Sequence, residues 1–118
     1  MNMIRRCCVI LFLGCVVLSC DSHLKGEPPL HRAAYKGDVA RIVELVKSGV
    51  QVNSLNSEGA TPLHWAAFKG EIDAAKLLLK YGANVNATTK KGSTPLRLAT
   101  THKKDAMIKL LTSYGGEI

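Results

Sequence analysis

Past residue 20 the chain has no cysteine, although Cys7, Cys8, Cys15 and Cys20 crowd its start. A fold stapled by disulfides scatters its cysteines through the domain, so residues 21–118 must be held together by packing. Aromatic residues are scarce too, at 5% against 47% apolar residues overall. The core is therefore built from Leu, Ala, Val and Ile, and such small aliphatic side chains suit close helix–helix contact better than a thick sandwich. Acidic residues are the minority charge, 9 against 16 Lys and Arg. No Pro-rich, Ser-rich or single-sign block marks a low-complexity tail. At 118 residues the chain amounts to one small domain at most.

The constellations of catalysis are also missing. The chain has no Ser–His–acid set, no paired carboxylates, no Gly-rich phosphate loop and no Cys/His cluster at zinc spacing. It reads as a non-enzyme without cofactor or metal.

The first twenty residues, "MNMIRRCCVILFLGCVVLSC", have the layout of a secretory signal. Arg5 and Arg6 supply a basic start, an apolar run extends from Cys7 to Leu18, and Ser19, Cys20 and Asp21 follow. The apolar run is too short to span a bilayer, which takes about 20 residues. A buried core helix is the alternative, and the absence of any polar face counts against it. Val17-Leu18-Ser19-Cys20 resembles the lipobox of bacterial lipoproteins, in which cleavage before the cysteine leaves it lipidated as the new first residue. That family usually has Leu where Val17 stands and a small residue where Leu18 stands, so an ordinary secretory signal stays open. The resemblance implies a cleaved signal over residues 1–19, lipidation at Cys20 and a short tether over residues 20–25. The domain is then exported and anchored, not spanning, on the periplasmic or outer side of a bacterial envelope.

Beyond this segment the chain repeats itself every 33 residues. Gly26, Gly59 and Gly92 stand 33 apart, as do Pro29, Pro62 and Pro95, and Leu30, Leu63 and Leu96. Ala33, Ala66 and Ala99 follow suit, and so do Gly49, Gly82 and Gly115. A fixed period of this length marks stacked supersecondary units. The middle copy shows the local chemistry best. Thr61 is an N-cap whose hydroxyl accepts a bond from an orphan backbone N–H. Pro62 fits the first helical position, where its missing N–H costs nothing. Ala66 and Ala67 are small enough to let neighbouring helices approach, and Gly70 ends the helix. In "EIDAAKLLLKY" a second helix buries Ile72, Ala75, Leu78 and Leu79 on one face. Gly82 then supplies a left-handed C-terminal conformation.

Thr61-Pro62-Leu63-His64-Trp65-Ala66 resembles the T-P-L-H-x-A signature of the ankyrin-repeat family. The resemblance covers residues 26–118 as three copies, about 26–58, 59–91 and 92–118. It implies an all-α solenoid of stacked helix–turn–helix units joined by projecting β-turn or hairpin loops, acting as a monomeric protein-binding module. It also implies that His31 and His64 hydrogen-bond adjacent loops and bind no metal.

Departures from the pattern are informative. Pro28 occupies the cap column of the first copy, so that helix starts without the threonine's bond. The third copy has Arg97 for the histidine and Lys103 for the helix-ending glycine. Asp105 and Thr112 replace Ile72 and Leu79, placing polarity where another repeat would stack, and the array is expected to end there. In the first copy Val39, Ile42, Val43 and Val46 are expected to form an apolar edge that is open to a partner or to the membrane.

In this family partners dock on the concave face, formed by the first helices and the projecting turns. The matching positions are Tyr35, Lys36, Phe68, Lys69, Thr101 and His102 on the helices, and Ser57, Glu58, Ala60, Lys90, Lys91 and Ser93 on the turns. Tyr35 and Phe68 are expected side by side as aromatic anchors, the alternative being that Phe68 covers the seam between repeats. Trp65, one turn earlier, is assigned to packing between repeats. Without Arg5 and Arg6 the balance is 14 basic to 9 acidic residues, with Lys90, Lys91, Arg97, Lys103, Lys104 and Lys109 gathered in the last repeat and the turn that leads into it. Such a run is a solvated face, or it meets an acidic protein or anionic headgroups, the latter contributing about 1 kcal/mol per basic residue. No nucleic-acid motif is present. Three roles fit: capture or inhibition of a protein at the envelope, a membrane-surface structural part without a specific partner, or a secreted effector binding host proteins.

Overall fold

The computed structural model describes residues 26–117, so the secretory signal, the lipobox, Cys20 and the whole tether lie outside the described residues. Among the described residues six helices occur in three pairs: α1 (Pro29–Lys36) with α2 (Val39–Lys47), α3 (Pro62–Lys69) with α4 (Ile72–Lys80), and α5 (Pro95–Thr101) with α6 (Asp105–Ser113). No strand occurs among the described residues. The first helices stack as one layer, α1 on α3 and α3 on α5, and the second helices stack behind them in the same order. Among the described residues no helix is long and apolar enough to cross a membrane.

The 33-residue columns explain this stacking. Leu30, Leu63 and Leu96 are buried in the first layer, and Leu45, Leu78 and Leu111 in the second. Each fully buried leucine stabilises by about 1.5–3 kcal/mol relative to exposure. Between them Ala33, Ala34, Ala66, Ala67 and Ala99 are buried, and their small side chains let the first helices lie close together. Each pair is joined by a turn that holds one residue of positive φ at the same column of the repeat. Gly37 and Gly70 take φ of 70° and 76°, and Lys103 takes the same conformation at φ 56° without being glycine. The third repeat therefore keeps the turn, including the Lys104 N–H bond to the Ala99 carbonyl at 2.9 Å, which matches Glu71 to Ala66. A residue with a Cβ pays about 1–2 kcal/mol for this conformation.

The projecting turns are also built twice over. Asn56 Oδ1 accepts from the N–H groups of Glu58 and Ala60, and Thr89 Oγ1, one period on, accepts from Lys91 and Ser93. The two turns are then stitched together by the Lys90 N–H donating to the Glu58 carbonyl at 3.0 Å. At the other end of each second helix, Asn53 brackets the following repeat by accepting from the Asn84 N–H and donating to the Gly82 carbonyl. Asn86 does the same with Glu117 and Gly115.

The two open faces of the stack are polar. On α2, Arg41 and Glu44 are exposed and form an ion pair with each other. Their columns are Ala74 and Met107, both buried, and Leu77 and Leu110, both packed on the core. Arg32 is exposed where Trp65 and Leu98 are half-buried. This corrects the apolar edge expected from Val39, Ile42, Val43 and Val46. Ile42 is fully buried, Val46 packs on the core, Val43 is half-buried, and only Val39 is exposed, at 37%. The Val39 and Val46 columns face the following repeat, whereas the face turned away from it carries the charged pair. At the far end Asp105 and Thr112 are exposed where Ile72 and Leu79 are half-buried, as their polarity suggested.

Candidate functional site

The first helices and the turns enclose a groove of about 510 Å³ on the concave side. Its size suits a bound segment or ligand, since sites run from about 300 to 1,000 Å³. Tyr35 comes from the end of α1, Trp65 and Phe68 from α3, and Leu98 from α5. Ser57, Glu58 and Ala60 of one turn and Thr89, Lys90, Lys91 and Ser93 of the next form the opposite wall.

The aromatic side chains form a connected set. Tyr35 and Phe68 lie side by side, with ring centroids 6.4 Å apart and planes at 22°. Trp65 meets both edge-on, 5.5 Å from Tyr35 and 5.8 Å from Phe68. Phe68 also meets the His102 ring at 4.4 Å. The same ring thus covers the seam between repeats and lines the groove. Lys69 places its ammonium 4.9 Å from the centroid of the Tyr35 ring, a cation–π contact.

Trp65 packs between the repeats, as expected, and it also lines the groove. Residues three apart share a helix face, so the spacing of Trp65 and Phe68 held the signal. The indole is fixed from the first repeat, because Glu27 accepts from Trp65 Nε1 at 2.9 Å and from Asn56 Nδ2 at 2.8 Å. Nothing in the repeat pattern singles out Glu27. Of the other expected positions, Tyr35, Phe68, Ser57, Glu58, Ala60, Lys90, Lys91 and Ser93 line the groove. Lys69 and His102 reach its aromatic rings from outside, Lys36 sits exposed beside Tyr35, and Thr101 is exposed at the end of α5.

The two repeated histidines tie the wall together. His31 Nε2–H donates to the Ala60 carbonyl at 2.8 Å, and His64 Nε2–H donates to the Ser93 carbonyl at 2.9 Å. Thr61 and His64 form a capping box in which histidine takes the place of the usual Glu or Gln, with the Thr61 N–H donating to His64 Nδ1 at 3.0 Å. The Thr61 hydroxyl lies 2.9 Å from the same nitrogen, so its cap is shared with the ring, whereas Thr94 caps directly by accepting from the Arg97 N–H at 3.1 Å. Burial lowers the pKa of both histidines below 6.5, against the opposing pull of the Ala60 carbonyl on His31 and the Ser93 carbonyl on His64. Both rings are therefore neutral at pH 7. Among the described residues no group of three or more His, Cys, Asp or Glu is placed to hold a metal ion.

Stacked helix pairs, loop-linking histidines and a groove under projecting turns together define a solenoid repeat protein. A family model for ankyrin repeats in three copies matches residues 2–89 and again 30–118, and the chain belongs to the ankyrin-repeat family. A search of curated proteins found no match. Among solved structures, the human ASB11 ankyrin repeat domain is similar, with 35% identity and a TM-score of 0.73 over 77% of this chain. The chain spans 41% of that domain's length. Ankyrin repeats are generally non-enzymatic scaffolds for protein interaction, and their presence here implies a protein-binding module.

Proposed function

We propose that the chain is an exported, lipid-anchored module that captures or inhibits a protein at the bacterial envelope through its concave groove. The observation that carries the groove is the joining of three half-buried aromatic side chains with two exposed lysines in one 510 Å³ depression. Aromatic side chains that keep part of their surface in water are the usual anchors of a protein interface. Export and anchoring are supported by the basic start, short apolar run and Ser19-Cys20 step. Replacing Cys20 with Ser should abolish labelling by a fatty-acid probe and release the protein to the soluble fraction. No label on the unaltered protein would remove the anchor from this reading.

Capture itself is tested by placing a photo-crosslinking residue at position 68 in the full chain, in cells, and identifying adducts by mass spectrometry. A single protein adduct is expected, absent when the crosslinker sits at exposed Asp73 on α4. Lipid adducts alone would favour the second reading, a membrane-surface structural protein. That reading draws on exposed Arg97, Lys103 and Lys109 in the last repeat.

A further inference from the structure

We infer that the groove selects an acidic protein segment carrying one large apolar side chain, an inference that rests on the groove being the capture surface. The turns narrow the mode of recognition first. The N–H groups of Glu58 and Ala60 are taken by Asn56, and those of Lys91 and Ser93 by Thr89. Gly59, Lys90 and Gly92 donate to the carbonyls of Asn56, Glu58 and Thr89. The turn wall therefore has no row of donors to offer an added strand, and strand addition is excluded as the mode of binding. An occupant must be read by side chains.

The side chains present two chemistries. The floor is apolar, made by Trp65, Phe68 and Leu98, and the half-buried rings leave area for one large side chain to cover. The rim is cationic. Lys90 and Lys91 are exposed and make no ion pair among the described residues, against Glu58 as the one acid of the lining. A cationic occupant would also approach a Tyr35 ring that already carries the Lys69 ammonium. Charge complementarity therefore favours carboxylates flanking an apolar anchor, with like charge excluding basic segments.

The test pans a display library of random twelve-residue peptides against the immobilised full chain, then titrates a synthetic copy of the most enriched sequence. Enriched peptides should place Asp or Glu beside Phe, Trp or Leu. Affinity should fall at least tenfold between 50 and 300 mM salt, and at least tenfold in the Lys90→Glu/Lys91→Glu variant, whose exposed positions leave its melting unchanged. Enrichment of basic or uncharged peptides that still depend on Phe68 would overturn the acidic selectivity and leave groove capture standing. Acidic peptides that bind a folded Phe68→Leu variant as well as the native chain would overturn the groove itself. No enrichment would overturn the inference for short segments, while crosslinking from position 68 judges capture independently.

Discussion

The first and middle repeats place a histidine at the same point of the same helix, and bury it to the same degree, with His31 at 0% and His64 at 1% exposure. Both rings reach across to the next turn through Nε2. They differ at the other nitrogen. His64 Nδ1 accepts from the Thr61 N–H, whereas His31 Nδ1 is buried with no partner. The cause lies three residues upstream, where Pro28 replaces the threonine and brings neither an N–H nor a hydroxyl. One substitution in the cap column thus leaves the fold unchanged and removes one hydrogen bond from its interior. A repeat protein tolerates this because each unit leans on its neighbours, so the stack can hold a poorly capped first repeat.

The largest effect should come from deleting the ring where it is fully paired. His64→Ala orphans the buried Thr61 N–H and removes one of the two bonds at the Ser93 carbonyl, which keeps the Thr89 N–H, and should cost about 2 kcal/mol. His31→Ala removes only one of the two bonds at the Ala60 carbonyl, which keeps the Asn56 N–H, and should cost about 1 kcal/mol. Urea unfolding of the two variants measures the difference, and equal losses would break the comparison. Next in size, Pro28→Thr should stabilise the native protein by about 1 kcal/mol by supplying a cap and a donor to His31 Nδ1. Pro28 has φ −59° and ψ 153°, which threonine adopts without strain. The gain should vanish in a His31→Ala background if the missing donor is its main source.

The smallest effect is a dependence on pH. Burial holds both histidines below their ordinary pKa of 6.5 in the folded chain, so folding favours the neutral rings. Their contribution is fully present above about pH 6.5 and is lost as pH falls below that value toward the lowered folded pKa values. Thermal melts should therefore drop between pH 7.5 and 5. Pro28→Thr should steepen the drop, because a donor at Nδ1 further favours the neutral ring of His31. A flat profile would mean that the rings accept protons without leaving their partners.

Much of the site was legible because a repeat turns sequence spacing into spatial adjacency. Tyr35 and Phe68 stack because 33 residues separate them on successive first helices. The turn positions Ser57, Glu58, Lys90 and Lys91 follow by the same rule. Trp65 was less legible, since its column holds Arg32 and Leu98 and gives no sign of a shared role. Glu27 was illegible, because its bond to Trp65 joins residues 38 apart, off the period. The amide brackets of Asn53 and Asn86 were present in the spacing, but a polar column on a turn looks like any solvated loop until its partners are known.

By itself the sequence determined the repeat, the helix starts and ends, and the leucine and alanine columns, since caps, turns and apolar faces are local properties of a few residues each. It also determined that Asp105 and Thr112 would face water. Only the tertiary structure decided which way the valines of α2 turn. Ile42 and Val46 are apolar wherever they point, and it took the stacking of the next repeat to bury Ile42, pack Val46 on the core and leave Arg41 and Glu44 outside. It alone decided that Lys103 would hold a left-handed turn, because the backbone bonds from Lys103 to Thr100 and from Lys104 to Ala99 close the turn against the residue's own preference. And it decided that Trp65, Phe68 and the rim lysines share one groove, because a concave surface is a property of several units packed together and of none alone.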